Sequence, residues 1–338
     1  MTRLVFTSPL QPELVERVRA FDDRVEVVYP DDLIAPARYP SDHVLPSLDG
    51  PGSRERWEEL LDEAEILWDF GPLELAPTLA SRPRLRWIQG TSAGIGRLAE
   101  RVGLTGSDVI VTTASGVHAR PLAEFVLLAM LMFSKHTLHL MREQQAHRYE
   151  RHAGHEVRGK VVCVVGLGKI GREVARVARG LDARVIGTVR DPRGRTAADL
   201  GVDELGELDS LLPQADVVVL ATPHTPETHR LLDERRLGLL KPGALLVNIA
   251  RGDVVDEAAL VEALREGRLG GAALDVYERE PLPPDSPLWD LPNVYVSPHS
   301  ASTVAEENER IVDLFCENLR RYLGGEPLLN ELDKELLY

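Results

Sequence analysis

The segment Lys160–Gly180, KVVCVVGLGKIGREVARVARG, carries the strongest structural signal in the chain. Its apolar run Val161–Val165 predicts a buried strand, and the apolar spacing after Gly171 predicts a helix. The glycines between them fit the pattern G-x-G-x-x-G, which permits a tight turn and brings the pyrophosphate of a dinucleotide close to a helix N-terminus. A chance glycine turn is the alternative. A second predicted strand, Ala183–Val189, completes the βαβ unit and favours a dinucleotide site.

Alternating strand and helix patterns extend from this unit in both directions. On the N-terminal side, LVFTSP has the pattern of a strand and PELVERVRAF that of a helix; on the C-terminal side, GALLVNIA and DEAALVEALREG repeat this alternation. It predicts an α/β protein with doubly wound parallel sheets. A long helical pattern over residues 119–145 lies between the two blocks, and a last one over residues 305–323 stops at Gly324.

The composition is that of an ordinary globular protein with an acidic surface. The 338 residues correspond to about two domains of ~100–200 residues each. The formal net charge of −15 argues against general binding to nucleic acids or to anionic membranes. The longest apolar run, Phe125–Phe133, is much shorter than the ~20 residues of a membrane span, and the N-terminal segment has no apolar signal core. Cys163 and Cys316 lie in apolar segments, as expected of core residues in a cytoplasmic protein.

The end of the second predicted strand bears on which nicotinamide dinucleotide is bound. An NAD-selective site places Asp or Glu there to bind the adenosine ribose, but this chain has Val189. Arg190, Arg193 and Arg195 follow closely, and guanidinium groups suit a 2′-phosphate. Because arginine makes up most of the 39 basic residues, a solvated Arg-rich loop is the alternative. We expect NADP(H) to be preferred, with NAD(H) also accepted.

Five blocks of the chain resemble the D-isomer-specific 2-hydroxyacid dehydrogenases, in the order and spacing of that family. They are SGVHARPLAEFVLLAML, VVCVVGLGKIGREVARVARG, LATPHTPETHRLLD, LLVNIARGDVVDEAALVEAL and GAALDVYEREPLPPDSPLWDLPNVYVSPHSA. The resemblance covers nearly the whole chain and implies two Rossmann-like domains with the active site in the cleft between them. It implies a discontinuous substrate-binding domain, residues 1–117 plus 304–338, and an inserted dinucleotide-binding domain, residues 118–303. In the family the first block also builds the subunit interface, which implies a homodimer.

The resemblance implies that Arg251, Glu280 and His299 are the catalytic residues of a 2-keto acid reductase. Each follows a predicted strand, and parallel sheets place ligand sites at the carboxyl ends of their strands. Hydride delivery to C2 of a keto acid leaves an alkoxide, to which a protonated His299 can donate a proton. Glu280 would orient the imidazole and raise its pKa, while Arg251 would bind the substrate carboxylate and polarise the carbonyl. Taken singly, each has an ordinary alternative: a background arginine, a solvated loop acid and a loop histidine.

The same resemblance assigns further residues to the two ligands. The cofactor-binding residues that it implies are Gly166, Gly168, Lys169, Ile170, Gly171, Arg190, Thr222, Pro223, Ala250 and Asp275. A structural strand-end aspartate is the alternative for Asp275. The substrate-binding residues that it implies are Arg251, His299, Ser92, Ala93 and Gly94, the last three in a loop whose backbone N–H groups suit a carboxylate. Gly96 departs from the family, in which Asp is frequent, and this leaves the conformation of the loop open.

A histidine-rich segment raises the question of a metal site. His147, His152 and His155 are spaced so that they do not share one helical face, and Gly154 would interrupt a helix. A zinc site needs ligands that converge on one point, so a solvated loop is favoured and no metal is expected.

The sequence leaves the substrate open. Formate dehydrogenases of the family have Gln at the position of Glu280, because they transfer no proton there, so formate is disfavoured. Glyoxylate, hydroxypyruvate, D-lactate-type substrates and larger 2-keto acids remain, and Trp289 is a candidate to line their pocket. A binding protein is the alternative from another class, since some relatives are corepressors that sense the dinucleotide and recruit peptides on the same fold.

Overall fold

A computed structural model describes residues 1–192 and 194–337. The chain forms two compact units, one made of Met1–His118 and the chain from Thr303 onward, the other of Ala119–Ser302. Each unit has its own parallel sheet and its own hydrophobic core, so the predicted α/β class with two doubly wound sheets is confirmed. Arg193, one of the arginines expected near the cofactor, lies outside the described residues.

The first unit is built around five parallel strands. They are β1 (Thr2–Phe6), β2 (Val25–Val28), β3 (Ile66–Trp68), β4 (Trp87–Gln89) and β5 (Ile110–Thr112). The sheet order is β2-β1-β3-β4-β5. β3 and β4 are buried along their whole length, as expected of apolar strands in a parallel sheet that is covered on both faces.

The second unit is built around seven parallel strands. They are β6 (Val161–Val165), β7 (Arg184–Thr188), β8 (Glu204–Leu205), β9 (Val217–Leu220), β10 (Leu245–Asn248), β11 (Gly271–Leu274) and β12 (Val294–Val296). The sheet order is β12-β11-β10-β9-β6-β7-β8. The order therefore reverses between β6 and β9, and open parallel sheets bind their ligands at the carboxyl ends of the strands at such a switch point.

Helices flank both sheets. They are α1 (Pro12–Arg19), α2 (Ser53–Glu63), α3 (Gly96–Arg101), α4 (Ala119–Ser134), α5 (Thr137–Gln145), α6 (Lys169–Arg179), α7 (Leu208–Leu211), α8 (Glu234–Leu237), α9 (Glu257–Arg265) and α10 (Glu307–Gly324). α10 ends the chain's regular structure but packs in the first unit, where its Phe315 stacks on Trp87 with ring centroids 5.1 Å apart. Trp68 contacts the same phenylalanine edge-on at 5.3 Å, so the last helix completes the aromatic core of the first sheet.

The long helical pattern over residues 119–145 is interrupted in the structure. α4 ends at Ser134, α5 begins at Thr137, and the two helices are bent by 65°. His136 between them has φ = 54°, a left-handed conformation that a continuous right-handed helix cannot contain. The expectation of one long helix was therefore wrong, because the spacing of apolar residues does not reveal a change of backbone conformation at one residue.

A membrane span would require a long apolar helix among the described residues. Within them, no single helix is long and apolar enough to cross a membrane. α4 and α5 reach the required length and composition only together, as the bent pair described above.

Candidate active site

The glycine-rich turn joins β6 to α6 at the switch point of the seven-stranded sheet. Gly166 has φ = 98°, and a Cβ there would lie 2.7 Å from the carbonyl oxygen of Ala221, so only glycine fits. Gly171 packs against the turn itself, since its Cβ would lie 1.9 Å from the carbonyl oxygen of Gly166. Gly168 differs, because a Cβ there would meet no described atom within 4 Å. Protein packing does not require glycine at this point, and the missing side chain leaves the N-terminus of α6 open to a pyrophosphate. The turn therefore fits a dinucleotide.

The other residues expected to contact the cofactor lie at the carboxyl ends of three strands near the switch point. They are Lys169 and Ile170 at the start of α6, Thr222 and Pro223 after β9, and Ala250 after β10. The Cα of Thr222 would lie 3.0 Å from a Cβ on Gly166, so the loop after β9 borders the glycine turn directly. Burial lowers the pKa of Lys169, with a smaller contribution from the charge of Arg172.

The arginines expected to select the cofactor have an acidic neighbour. Arg190 is exposed just beyond the end of β7. The pKa of Glu227 lies below its usual range because of hydrogen bonds from Thr225 and from its own backbone N–H, with a further contribution from the charge of Arg190. Arg195 donates from Nε to the carbonyl oxygen of Pro192 at 3.1 Å. Glu227, which the sequence did not single out, therefore interacts electrostatically with Arg190.

Three neighbouring strands are each followed by one of the predicted catalytic residues. Arg251 follows β10, Glu280 lies beyond β11 and His299 follows β12. Nδ1 of His299 lies 2.7 Å from Oε2 of Glu280, the distance of a hydrogen bond between an imidazole N–H and a carboxylate. The other oxygen of Glu280 accepts the backbone N–H of Tyr277 at 3.1 Å. The structure therefore joins two side chains that are 19 residues apart in the chain.

Each partner of this hydrogen bond changes the titration of the other. The hydrogen bond to Glu280 raises the pKa of His299 above its ordinary value, against the effect of burial, and the charges of Glu280 and Asp275 add to it. Burial alone would raise the pKa of Glu280, but the hydrogen bond and charge of His299 bring it below its ordinary value. The charge of Arg251 acts on both groups, lowering each pKa. The arrangement favours an imidazolium that is paired with a carboxylate.

Asp275 holds the loop that carries His299. Asp275 is buried, with 2% of the residue exposed. Its Oδ1 accepts a hydrogen bond from the hydroxyl of Ser297 at 2.6 Å. The same oxygen accepts hydrogen bonds from the backbone N–H groups of Ser300 and Ala301, at 2.8 and 3.0 Å. Burial raises its pKa against these hydrogen bonds. His299 lies inside this bonded loop with φ = 52°, a left-handed conformation that costs energy in a non-glycine residue. Asp275 thus stabilises the strained backbone beneath the imidazole.

The loop of Arg251 is packed tightly against the loop that leads to Glu280. A Cβ on Gly252 would lie 1.8 Å from the carbonyl carbon of Tyr277, so the two backbones touch. The side chain of Asn248 bridges the turn, donating from Nδ2 to the carbonyl oxygen of Arg251 at 3.0 Å and accepting the N–H of Ala250 at 3.0 Å. Sequence reasoning missed Asn248 and Tyr277, because neither contact can be read from local spacing.

The loop expected to bind the substrate carboxylate follows β4 in the other unit. Ser92 and Gly94 are exposed, and the N–H of Gly94 lies 3.4 Å from Oγ of Ser92. Thr91, just before them, donates to Oδ2 of the buried Asp69 at 2.8 Å, which anchors the start of the loop. Gly96 is explained by packing, since a Cβ there would lie 1.9 Å from the carbonyl oxygen of Leu337.

Histidines from two parts of the second unit lie close together on its surface. The ring centroid of His136 lies 5.6 Å from that of His152 and 5.7 Å from that of His155. Within residues 1–192 and 194–337, no group of three or more His, Cys, Asp or Glu side chains is arranged to hold a metal ion. Trp289 is 50% exposed, and its Nε1 donates to the carbonyl oxygen of Pro283 at 2.9 Å.

Comparisons with known proteins agree with this geometry. The model of the D-isomer specific 2-hydroxyacid dehydrogenase NAD-binding domain matches residues 127–301. The glyoxylate reductase of Thermofilum pendens is 33% identical over 298 residues, which make up 86% of this chain and 88% of that protein. The glyoxylate reductase of Korarchaeum cryptofilum is 34% identical over 274 residues, or 78% of this chain and 80% of that protein.

Solved structures are similar along the whole chain. A D-isomer specific 2-hydroxyacid dehydrogenase from Xanthobacter autotrophicus, in complex with NADPH, has a TM-score of 0.79 and 32% identity, covering 100% of this chain and 99% of that one. An NADPH-dependent glyoxylate/hydroxypyruvate reductase from Sinorhizobium meliloti, in complex with NADP, has a TM-score of 0.79 and 26% identity, with 100% of both chains covered. A glycine turn that fits a dinucleotide, two parallel-sheet units and these relatives lead to one assignment: the chain belongs to the D-isomer-specific 2-hydroxyacid dehydrogenases, oxidoreductases that use a nicotinamide cofactor.

Proposed function

We propose that this protein is a 2-keto acid reductase that forms the D-2-hydroxy acid with NADPH and catalyses the reverse oxidation. The observation that carries the proposal is the 2.7 Å contact between Nδ1 of His299 and Oε2 of Glu280. It lies at the sheet edge that also bears Arg251, whose charge acts on both partners. We further propose that the unit with the glycine turn binds the dinucleotide, and that the other unit, with Ser92–Gly94, binds the substrate carboxylate.

The proposed chemistry divides between proton transfer and charge stabilisation. Because Glu280 engages Nδ1 of His299, Nε2 is the nitrogen that exchanges a proton with the substrate oxygen. In reduction the imidazolium donates this proton to the oxygen on C2, and in oxidation the neutral ring accepts it. The planar guanidinium of Arg251 binds the substrate carboxylate and stabilises negative charge on the carbonyl oxygen. A bound nicotinamide dinucleotide supplies the hydride for reduction.

Two further assignments belong to the proposal. Glyoxylate and hydroxypyruvate are the first substrates to test, because relatives named for these compounds cover most of the chain. We also propose a homodimer, which is supported by exposed apolar side chains on α4 and α5: Leu128, Leu131, Leu140 and Met141.

The proposal is tested by following the absorbance of NADPH with a panel of 2-keto acids. Glyoxylate, hydroxypyruvate, pyruvate and bulkier keto acids should each be tried at saturating NADPH, and at least one should be reduced with multiple turnovers. Chiral analysis of the product from hydroxypyruvate, pyruvate or a bulkier keto acid should show the D-hydroxy acid, since the glycolate formed from glyoxylate is achiral. If the protein binds NADPH but reduces no member of the panel, the proposal fails, and a dinucleotide-sensing, corepressor-like binding protein becomes the better account.

We expect a lower KM for NADPH than for NADH, and we expect Arg190→Ala to remove most of the difference. A charge-assisted hydrogen bond to a phosphate contributes ~1.5–3 kcal/mol, or about tenfold or more in affinity. Steady-state kinetics with both cofactors at one fixed keto-acid concentration measure this preference. Arg265→Ala is the control, because Arg265 is exposed on α9 and pairs with Glu262 on the same helix. Glu227→Gln should lower the KM for NADPH, because it removes the carboxylate that competes for Arg190. A kcat/KM for NADH equal to or above that for NADPH in the unaltered protein would contradict the assignment.

Glu280→Gln should shift the pH dependence of both directions toward lower pH. Glu280 raises the pKa of His299, so its removal lowers that pKa and deprotonates the ring at lower pH. Reduction, which needs the imidazolium, should then begin to fall at a lower pH, and oxidation, which needs the neutral ring, should persist to a lower pH. The measurement is kcat/KM against pH in both directions. An unchanged profile would show that Glu280 does not set the titration of His299.

A further inference from the structure

A second histidine lies on the loop after β9, which borders the glycine turn. His224 directly follows Thr222 and Pro223, and the Cα of Thr222 borders the glycine turn, 3.0 Å from where a Cβ on Gly166 would lie. The side chain of His224 is only 8% exposed although it sits on a loop. A polar ring that is buried at a ligand-binding edge needs fixed partners, and these partners show which part of the site it contacts.

The ring of His224 reaches the loop that carries Arg251. Its Nδ1 lies 3.1 Å from Oδ2 of Asp253, the second residue after Arg251. Its Nε2 lies 3.3 Å from Nδ1 of His229, and the two imidazoles stack with centroids 5.3 Å apart and planes 25° apart. Both ring nitrogens are therefore engaged, and the carboxylate on Nδ1 holds the ring in one orientation.

Asp253 is well placed to transmit this contact to Arg251. It lies in the single 3₁₀ turn Gly252–Val254 that begins immediately after Arg251. The backbone of the same turn is held by a later part of the β9–α8 connection, where Arg230 donates its N–H to the carbonyl oxygen of Asp253 at 2.7 Å. The side chain of Asp253 adds a side-chain contact between this turn and His224, in the part of the same connection that borders the glycine turn. Loss of this contact removes one restraint on the turn, and a shift of the turn moves the guanidinium of Arg251.

We propose that His224, acting through Asp253, is a positioning residue for Arg251 that joins the cofactor-side loop to the substrate-binding arginine; this rests on the substrate-binding role proposed for Arg251. A planar guanidinium binds a carboxylate productively only within a narrow range of positions and angles, so a second layer of hydrogen bonds that fixes its backbone affects the substrate step. His224 touches neither reactant in this proposal. It fixes the position of the Arg251 guanidinium when the dinucleotide is bound.

The test uses two variants, His224→Leu and Asp253→Ala. Leucine keeps most of the bulk of the imidazole ring but removes the donor to Asp253. Each should lower kcat/KM for the best keto acid by roughly tenfold, the size expected for a hydrogen bond to a charged partner, with KM carrying most of the change. The double variant should be no worse than the poorer single variant, because both remove the same contact. The Kd of NADPH, measured by fluorescence titration, should stay within about twofold.

Two more variants separate positioning from a general loss of structure. His224→Asn places an amide N–H near the position of Nδ1, so it should recover most of the kcat/KM that the leucine variant loses. His229→Leu removes the stacked neighbour but leaves the contact with Asp253, so it should behave like the unaltered protein. Additive losses in the double variant, no recovery with asparagine, or unchanged kinetics in His224→Leu would each overturn the proposal.

Hydrogen exchange at saturating NADPH provides a readout that does not need turnover. His224→Leu and Asp253→Ala should speed amide exchange in peptides that cover residues 251–255, and His229→Leu should not. If the unaltered protein reduces no keto acid but exchange rises as expected, the proposed function fails while the link between the two loops stands. If the keto acid is reduced and exchange and KM are both unchanged in His224→Leu, the link fails while the proposed function stands.

Discussion

His299→Asn is expected to lower kcat for keto-acid reduction by roughly 10²–10⁴-fold, the range for loss of a positioned acid–base group. Asparagine is the better replacement because His299 has φ = 52°, and asparagine tolerates this left-handed backbone more readily than alanine does. The amide can still reach toward Glu280, but it cannot carry a transferable proton near neutral pH. The affinity for NADPH should change little, since His299 is assigned to the substrate and not to the dinucleotide.

A matched control for this variant exists in the same unit. His136 also has a left-handed backbone, with φ = 54°, and lies at the break between α4 and α5. His136→Asn therefore makes the same histidine-to-asparagine substitution in a left-handed backbone conformation, but outside the proposed site. Its kcat should match that of the unaltered protein. Turnover by His299→Asn within a few-fold of the unaltered protein would remove His299 from its role as acid and base.

Arg251→Gln is expected to reduce kcat/KM for the keto acid by roughly 10²–10⁴-fold, because it removes both the charge and the forked donor from the substrate carboxylate and the carbonyl oxygen. Both kcat and KM should worsen, since the carboxylate is bound in the ground state and the charge on the carbonyl oxygen develops in the transition state. Arg251→Lys should recover only part of the loss, because an ammonium restores the charge but not the planar geometry.

Loss of the Arg251 charge has a second consequence that is measurable. That charge lowers the pKa of His299, so Arg251→Gln should move the alkaline fall of reduction to higher pH, opposite in direction to Glu280→Gln. Arg265→Gln on α9 is the control, because Arg265 is exposed and pairs with Glu262 on the same helix. Normal kinetics in Arg251→Gln with every reactive keto acid would contradict the substrate-binding role.

The local features of this protein were open to prediction. The glycine turn could be recognised because a buried strand, three glycines and a helix follow one another directly in the chain, and the structure confirms the α/β class that this pattern predicted. Arg251, Glu280 and His299 were implied by the resemblance to the family, and each follows a predicted strand, which places them at one edge because the carboxyl ends of parallel strands share it. Their catalytic roles remain predictions, but the contact between His299 and Glu280 shows that this edge brings two of them together.

Features that depend on contacts between distant segments were not open to prediction. The break at His136, the three hydrogen bonds that Asp275 accepts, and the packing of Gly252 against Tyr277 have no signature in residue spacing. The pairing of His224 with Asp253 joins loops after two different strands, and it forms only because β9 and β10 are neighbours in the sheet. Spacing along a chain encodes the period of a strand or helix, whereas the distance between two loops is set by strand order and register, and these arise from burial of the whole sheet.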